Sequence, residues 1–414
     1  MQAQTGWRFY GWWGIVLPAF VVIWITNALT LAGIAVFDRA ILDELELSRG
    51  ALKFGDTLQL LASAALAPVG GWIADRFGVR PAMIAGALLL AGGLYAYSMI
   101  DSLTHLYLLR VVLGASLAGA GLVVCVTIVS RWFVSRRGLA LGLMLSGTSL
   151  GNALIPQLNT WLIGQHGWRE ALQIVCLIPL LLLPIVLFVI KEWPERVGLA
   201  PLGAAAAAAP GAGGQRGVPM AGYDFAPALR TANFWLIATA AFCTFYSILG
   251  LSGNLFLHMQ DLGYDAAGAS RAFFPLFIMG LVGKLAAGAI SELLPRKLVF
   301  ALCLGFMLAG ALMLATLKPS LVWPALWLFG FGWGGNYTML QALVADVFGA
   351  RSLGKILGAI TVIDATGGAI GPWITGMTYD ATNDYGLGFG IMTALIAVAF
   401  VAAMLVRTPA RPER

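Results

Sequence analysis

The sequence predicts an all-α membrane protein with twelve transmembrane helices in two pseudo-symmetric bundles of six. Composition is the first ground: 60% of the 414 residues are hydrophobic and 11% charged, whereas a soluble domain is about a quarter charged. Spacing is the second, because apolar runs of about twenty residues, each long enough to cross a bilayer as a helix, recur along the chain. An internal repeat is the third. Gly71, Asp75 and Arg80 of GWIADRFGVRP match Gly288, Glu292 and Lys297 at an offset of 217 positions. Gly138, Gly142, Gly151 and Pro156 match Gly354, Gly358, Gly367 and Pro372 at an offset of 216. A parallel repeat of six spans implies a binding site near the midplane between the halves.

In chain order the expected spans are 10–37, 51–74, 82–100, 106–130, 138–163, 169–190, 232–256, 268–291, 298–317, 321–346, 355–378 and 386–406. Residues 1–190 form the N-terminal bundle, 191–230 a cytoplasmic linker and 231–414 the C-terminal bundle. The linker centres on Pro201–Gly222, PLGAAAAAAPGAGGQRGVPMAG, which has too few large apolar side chains to build a core. Sorting Lys and Arg by loop gives a bias of nearly three to one toward the side holding the N-terminus. That bias places both termini in the cytoplasm of a bacterial-type inner membrane. It also accounts for the net charge of +6 without nucleic acid.

Cys125, Cys176, Cys243 and Cys303 fall inside spans as packing residues, with no disulfide framework. The three histidines are expected near loops and scattered, so neither a metal nor a cofactor is expected. No nucleotide-binding loop and no nucleophile–base arrangement point to an enzyme.

The chemistry rests on polar groups inside spans. Phe274–Lys297 is an apolar helix with Lys284 at its centre, and an intramembrane cation is by default a functional-site hypothesis. Asp364 lies at similar depth in span eleven, and the two are expected to face each other. Their plain alternative role is a structural ion pair. Thr148 is the repeat counterpart of Asp364. Asn27 in span one, Tyr246 in span seven and Asn336–Tyr337 after GFGWGG in span ten are further groups able to bond a carboxylate; helix–helix hydrogen bonding is the alternative for each. Trp333 is the one tryptophan of its stretch deep enough to line a cavity. Asp56, beside Lys53, is expected in a solvated pair near the outer surface. Asp75, Arg76 and Arg80, with Glu292, Arg296 and Lys297 in the second copy, are expected to pair at the cytoplasmic end and to gate access there. Gly71 and Gly288 are expected to permit close helix approach.

GWIADRFGVRP resembles the signature loop of the major facilitator superfamily, and Arg110-Val-Val-Leu-Gly114 resembles its span-four motif. Tyr10-Gly-Trp-Trp-Gly14, Ser48-Arg49-Gly50 and Gly367–Asp380 resemble the branch of monocarboxylate porters and oxalate:formate antiporters. The resemblance implies a carrier that alternates between inward- and outward-open states. That branch carries a substrate-binding arginine in span eight, where this chain has Lys284. The animal members place an acid one turn earlier, where this chain has Gly280. Lysine keeps the charge but not the two-pronged fork. The expectation is a monomeric carrier of a small organic anion, most simply a monocarboxylate moved with a proton, with Asp364 releasing Lys284 on protonation. An exchanger of carboxylates and an exporter of hydrophobic compounds are the alternatives.

Overall fold

The computed structural model describes residues 10–133, 136–202, 222–349 and 351–407. The stretch 203–221, nearly all of the Pro201–Gly222 centre of the expected linker, lies outside the described residues, as do Arg8, Arg216, Arg411 and Arg414 of the charge sorting. Among the described residues, ten segments are long and apolar enough to cross a membrane. They are span one (Trp12–Ala35), span two (Arg49–Arg76), span three (Val79–Tyr97), span four (Leu103–Trp132), Arg137–Val189, span seven (Ala232–Asp261), span eight (Ala266–Leu293), span nine (Arg296–Ala315), span eleven (Leu353–Thr382) and span twelve (Gly386–Leu405). Arg137–Val189 holds spans five and six, which turn at Gly167 with φ 78°. The 30-residue helix Pro319–Phe348 is span ten.

Local signals set the helix starts. Ser102, Thr231 and Asp265 each accept a hydrogen bond from the backbone N–H three residues on, satisfying donors that a helix leaves open. Pro68, Pro156, Pro324 and Pro372 sit inside helices, which membrane helices tolerate when neighbours satisfy the freed carbonyls.

Span one breaks at Leu31 (φ −111°, ψ −94°). Three side-chain amides patch the break: Asn152 Oδ1 accepts from the Ala32 N–H at 3.1 Å, Asn159 donates to the Gly33 carbonyl at 2.8 Å, and Gln59 donates to the Thr30 carbonyl at 2.6 Å.

Two compact units emerge: Met1–Ala40 with Leu58–Val218, and Ile41–Thr57 with Pro219–Arg414. The repeat reappears in how each unit packs. Span five meets span one at Gly151, where a Cβ would collide with the Trp24 carbonyl; span eleven meets span seven at Gly367, where it would collide with the Phe242 carbonyl. The matched glycines 138, 142, 354 and 358 have no heavy atom within 4 Å of a built Cβ, so helix packing does not explain them.

The expected close approach at Gly71 is corrected to its neighbour. A Cβ on Gly70 would run into the Ala118 carbonyl, whereas one on Gly71 would meet only the Val123 side chain at 3.8 Å, and one on Gly288 would meet nothing.

Candidate functional site

The second unit builds its site on a seam of small residues. A Cβ on Gly283 of span eight would strike the Phe331 carbonyl, and one on Gly334 of span ten would strike the Gly280 carbonyl. Small residues at both faces let membrane helices approach backbone to backbone. That approach lays the Lys284 side chain along the aromatic face of span ten. Its Nζ stands 5.3 Å from the Trp333 ring centroid and 5.7 Å from that of Tyr337, within the range of cation–π attraction. The two rings stack at 6.3 Å, with Phe277 edge-on to Trp333 and Phe245 tilted against Tyr337. Gly280 backs directly onto Trp333, 3.2 Å from a built Cβ.

Asp364 is buried on span eleven, within electrostatic reach of Tyr337. Tyr337 is the side chain near both Asp364 and Lys284. Around them the Nε1 of Trp333 and the Oδ1 of Asn336 are buried without a hydrogen-bond partner. Tyr246, buried on span seven, has its hydroxyl beside Thr375 without a full hydrogen bond. Native interiors seldom leave such atoms open, and each one left open asks for an explanation. Here three lie on the spans that carry or flank Lys284 and Asp364.

The first unit joins its two expected residues through a third. Asn152 donates to Asn27 Oδ1 at 2.8 Å and to the Thr148 carbonyl at 2.9 Å, while the Thr148 hydroxyl donates to the Leu145 carbonyl. Asn27 and Thr148 are thus held by internal bonds.

Arg110 is fully buried. Its partners include the side chains of Tyr97 at 3.0 Å, Gln59 at 3.3 Å and Asp38 at 3.5 Å. Asp38 is itself fully buried, one residue beyond the expected end of span one, where a sequence reading places it in a loop.

The cytoplasmic pairs also differ from expectation. Asp75 pairs with Arg131 at 3.1 Å rather than with Arg76, Arg80, Arg296 or Lys297. Arg76 lies over the rings of Trp72 and Phe77. The Arg80 side chain donates to the carbonyls of Val186 and Leu187, and its backbone N–H donates to Glu192. Arg296 pairs with Asp346 at 2.5 Å. Glu292 is exposed; neither it nor Lys297 makes an ion pair among the described residues. Lys53 and Asp56 do pair, at 3.3 Å, but the lysine is fully buried rather than solvated. His258, expected near a loop, is buried with its ring against Tyr385 and Phe389.

Residues 9–372 match the sequence profile of the Major Facilitator Superfamily. The chain belongs to this superfamily. Among its relatives, bovine monocarboxylate transporter 13 is 28% identical over 333 residues, covering 80% of this chain and 74% of that one. The oxalate:formate antiporter of Oxalobacter formigenes is 28% identical over 424 residues, covering 96% and 90%. A bacterial homologue of the human lysosomal transporter Spinster, solved inward-facing and occupied, superposes with a TM-score of 0.70 at 15% identity, covering 94% of this chain and 95% of that one. That likeness shows the twelve-helix fold. Family and fold are those of membrane transporters.

Proposed function

We propose that this superfamily member carries a small organic anion, a monocarboxylate in the simplest case, across a bacterial-type inner membrane together with a proton, as a monomer with both termini in the cytoplasm. The observation that carries the reading is Lys284: a cation in the middle of a span, seated against Trp333 and Tyr337 and close to the unpartnered polar atoms described above. A charge in that setting marks a substrate or ion path more often than a structural device. The functions that name the two sequence relatives, monocarboxylate transport and oxalate:formate exchange, support the same substrate class.

Lys284 binds the carboxylate. Asn336, Tyr337 and Tyr246 bond its oxygens. Asp364 takes the proton: its charge, felt through Tyr337, is removed when the anion sits at Lys284 and restored when the anion leaves. Asp75, Arg76, Arg80, Glu292, Arg296 and Lys297 govern opening at the cytoplasmic end.

Thermal melting of the purified protein against a panel of organic acids at mildly acidic and at neutral pH tests this, because a ligand of the folded state raises the midpoint by mass action. A carboxylate should stabilise the native protein, more at acidic pH, and leave Lys284→Ala unmoved. Equal shifts in both proteins would remove Lys284 from the site. Exchange of one carboxylate for another is the second reading, favoured by the antiporter relative that covers nearly the whole chain. It requires uptake that is stimulated by internal substrate and indifferent to a pH gradient.

A further inference from the structure

Lys284 suits an anion, but the groups around it do not all suit one. A carboxylate carries acceptors and no donors. The open Nε1–H of Trp333 can donate to it, beside the charge of Lys284. Asn336 Oδ1 cannot: it is an acceptor, on a side chain 2% exposed, and it has no hydrogen-bond partner. Asn336 follows Trp333 by three positions and precedes Tyr337 by one in the same helix, so it emerges on the flank of the two stacked rings. Asp364 is a second buried acceptor, 6% exposed, and Tyr337 lies near it as well as near Lys284. A buried acceptor left open is penalised as a buried donor is. The ligand that satisfies this set has an acceptor end and a donor end.

Charge leads to the same ligand. The ammonium of Lys284 and the carboxylate of Asp364 cancel. A lone anion added to them leaves a net negative charge among buried groups, a costly state, unless a proton comes with it. A molecule with its own cation needs no such proton. An ammonium offers three donors, enough for Asp364 and Asn336 Oδ1 together, and it is attracted to aromatic faces such as those of Trp333 and Tyr337. The next rings out, Phe277 and Phe245, are apolar and suit an uncharged side group. We propose that the preferred cargo is a zwitterion, in the simplest case an α-amino acid with an apolar side chain, its carboxylate on Lys284 and its ammonium taken by Asp364 and Asn336 Oδ1. This rests on the reading of Lys284 as the carboxylate site and narrows the substrate class of that site.

Matched probes test this by titration calorimetry of the purified protein in nanodiscs at neutral pH. L-Alanine, L-leucine and L-phenylalanine are each set beside the 2-hydroxy acid of the same skeleton, which keeps the carboxylate and the side chain and replaces the ammonium with a hydroxyl. At least one amino acid should bind about tenfold or more tightly than its hydroxy acid, the worth of a hydrogen bond to a charged group. Asp364→Asn keeps the shape and removes the charge, so it should reverse that order. Asn336→Leu should narrow the gap by about threefold to tenfold, and Lys284→Ala should lose both members of each pair. Hydroxy acids that bind the native protein and not Lys284→Ala, beside amino acids that do not bind, overturn the zwitterion and leave the carboxylate site standing. Amino acids held equally by the native protein, Asp364→Asn and Asn336→Leu overturn the zwitterion as well. Identical isotherms for the native protein and Lys284→Ala with every probe overturn the carboxylate site, and the zwitterion falls with it.

Discussion

Two cations inside the spans of this chain are held in opposite ways. Arg110, in the first unit, is fully buried among Asp38, Gln59 and Tyr97, and Gln59 in turn bonds the broken backbone of span one at Thr30. Lys284, in the second unit, lies against the π faces of Trp333 and Tyr337, with unpartnered polar atoms nearby. A guanidinium presents five donors in a rigid fork and suits a cage of fixed acceptors. An ammonium is a compact charge on a flexible stem and can turn toward a new partner. The contrast suits Arg110 to holding the bundle together and, under the proposed function, Lys284 to meeting a ligand.

The strongest way to break that comparison is to remove each cation. Arg110→Leu takes a cationic partner from the buried Asp38 carboxylate and should cost about 3–5 kcal/mol of stability, seen as lost folded protein or a sharply lower melting temperature. Should Arg110→Leu melt like the native protein, the structural assignment fails. Lys284→Ala should lower stability by less than Arg110→Leu does, the cation–π contacts with Trp333 and Tyr337 being among those it gives up. Its carboxylate affinity should nevertheless fall about tenfold to a hundredfold, the worth of a hydrogen bond to a charged group, as read by titration calorimetry.

Gly70 and Gly71 sharpen the packing side. Gly70→Ala forces span two away from the Ala118 carbonyl and should cost about 1–3 kcal/mol, whereas Gly71→Ala has room and should be close to neutral; parallel thermal melts separate the two. The smallest effects belong to the cytoplasmic pairs. Their polarity is reversed between the halves: Asp75 of the loop meets Arg131 of span four, while Arg296 of the loop meets Asp346 of span ten. Asp75→Asn and Arg296→Gln should each change stability by under about 1 kcal/mol, as surface ion pairs do. If these residues gate access, the balance of inward- and outward-open states should still shift, which distance measurements between spin labels on the two units would report.

Much of the fold was legible before any coordinates. Hydropathy located the spans, and offsets of 216 and 217 exposed the repeat now visible at Gly151 and Gly367. Lys284 and Asp364 stood out because a charge in an apolar run is conspicuous. The fully buried Asp38 did not, because it lies just past the apolar run, where an acid is ordinary. Arg49 looked like an outer-loop charge for the same reason, although the structure leaves its side chain only 8% exposed.

What the sequence determined by itself follows from local physics: which stretches cross the bilayer, where they start, and which halves correspond. Tertiary structure alone decided the partners. One residue along a helix turns the side chain by about 100°, so neighbours in sequence face different helices. That rotation is why Gly70, and not Gly71, meets Ala118. Bonds such as Arg49 to Asp261 or Arg110 to Asp38 join positions 212 and 72 residues apart. No local pattern encodes which of several acids a buried cation will reach; the crossing of the packed helices does.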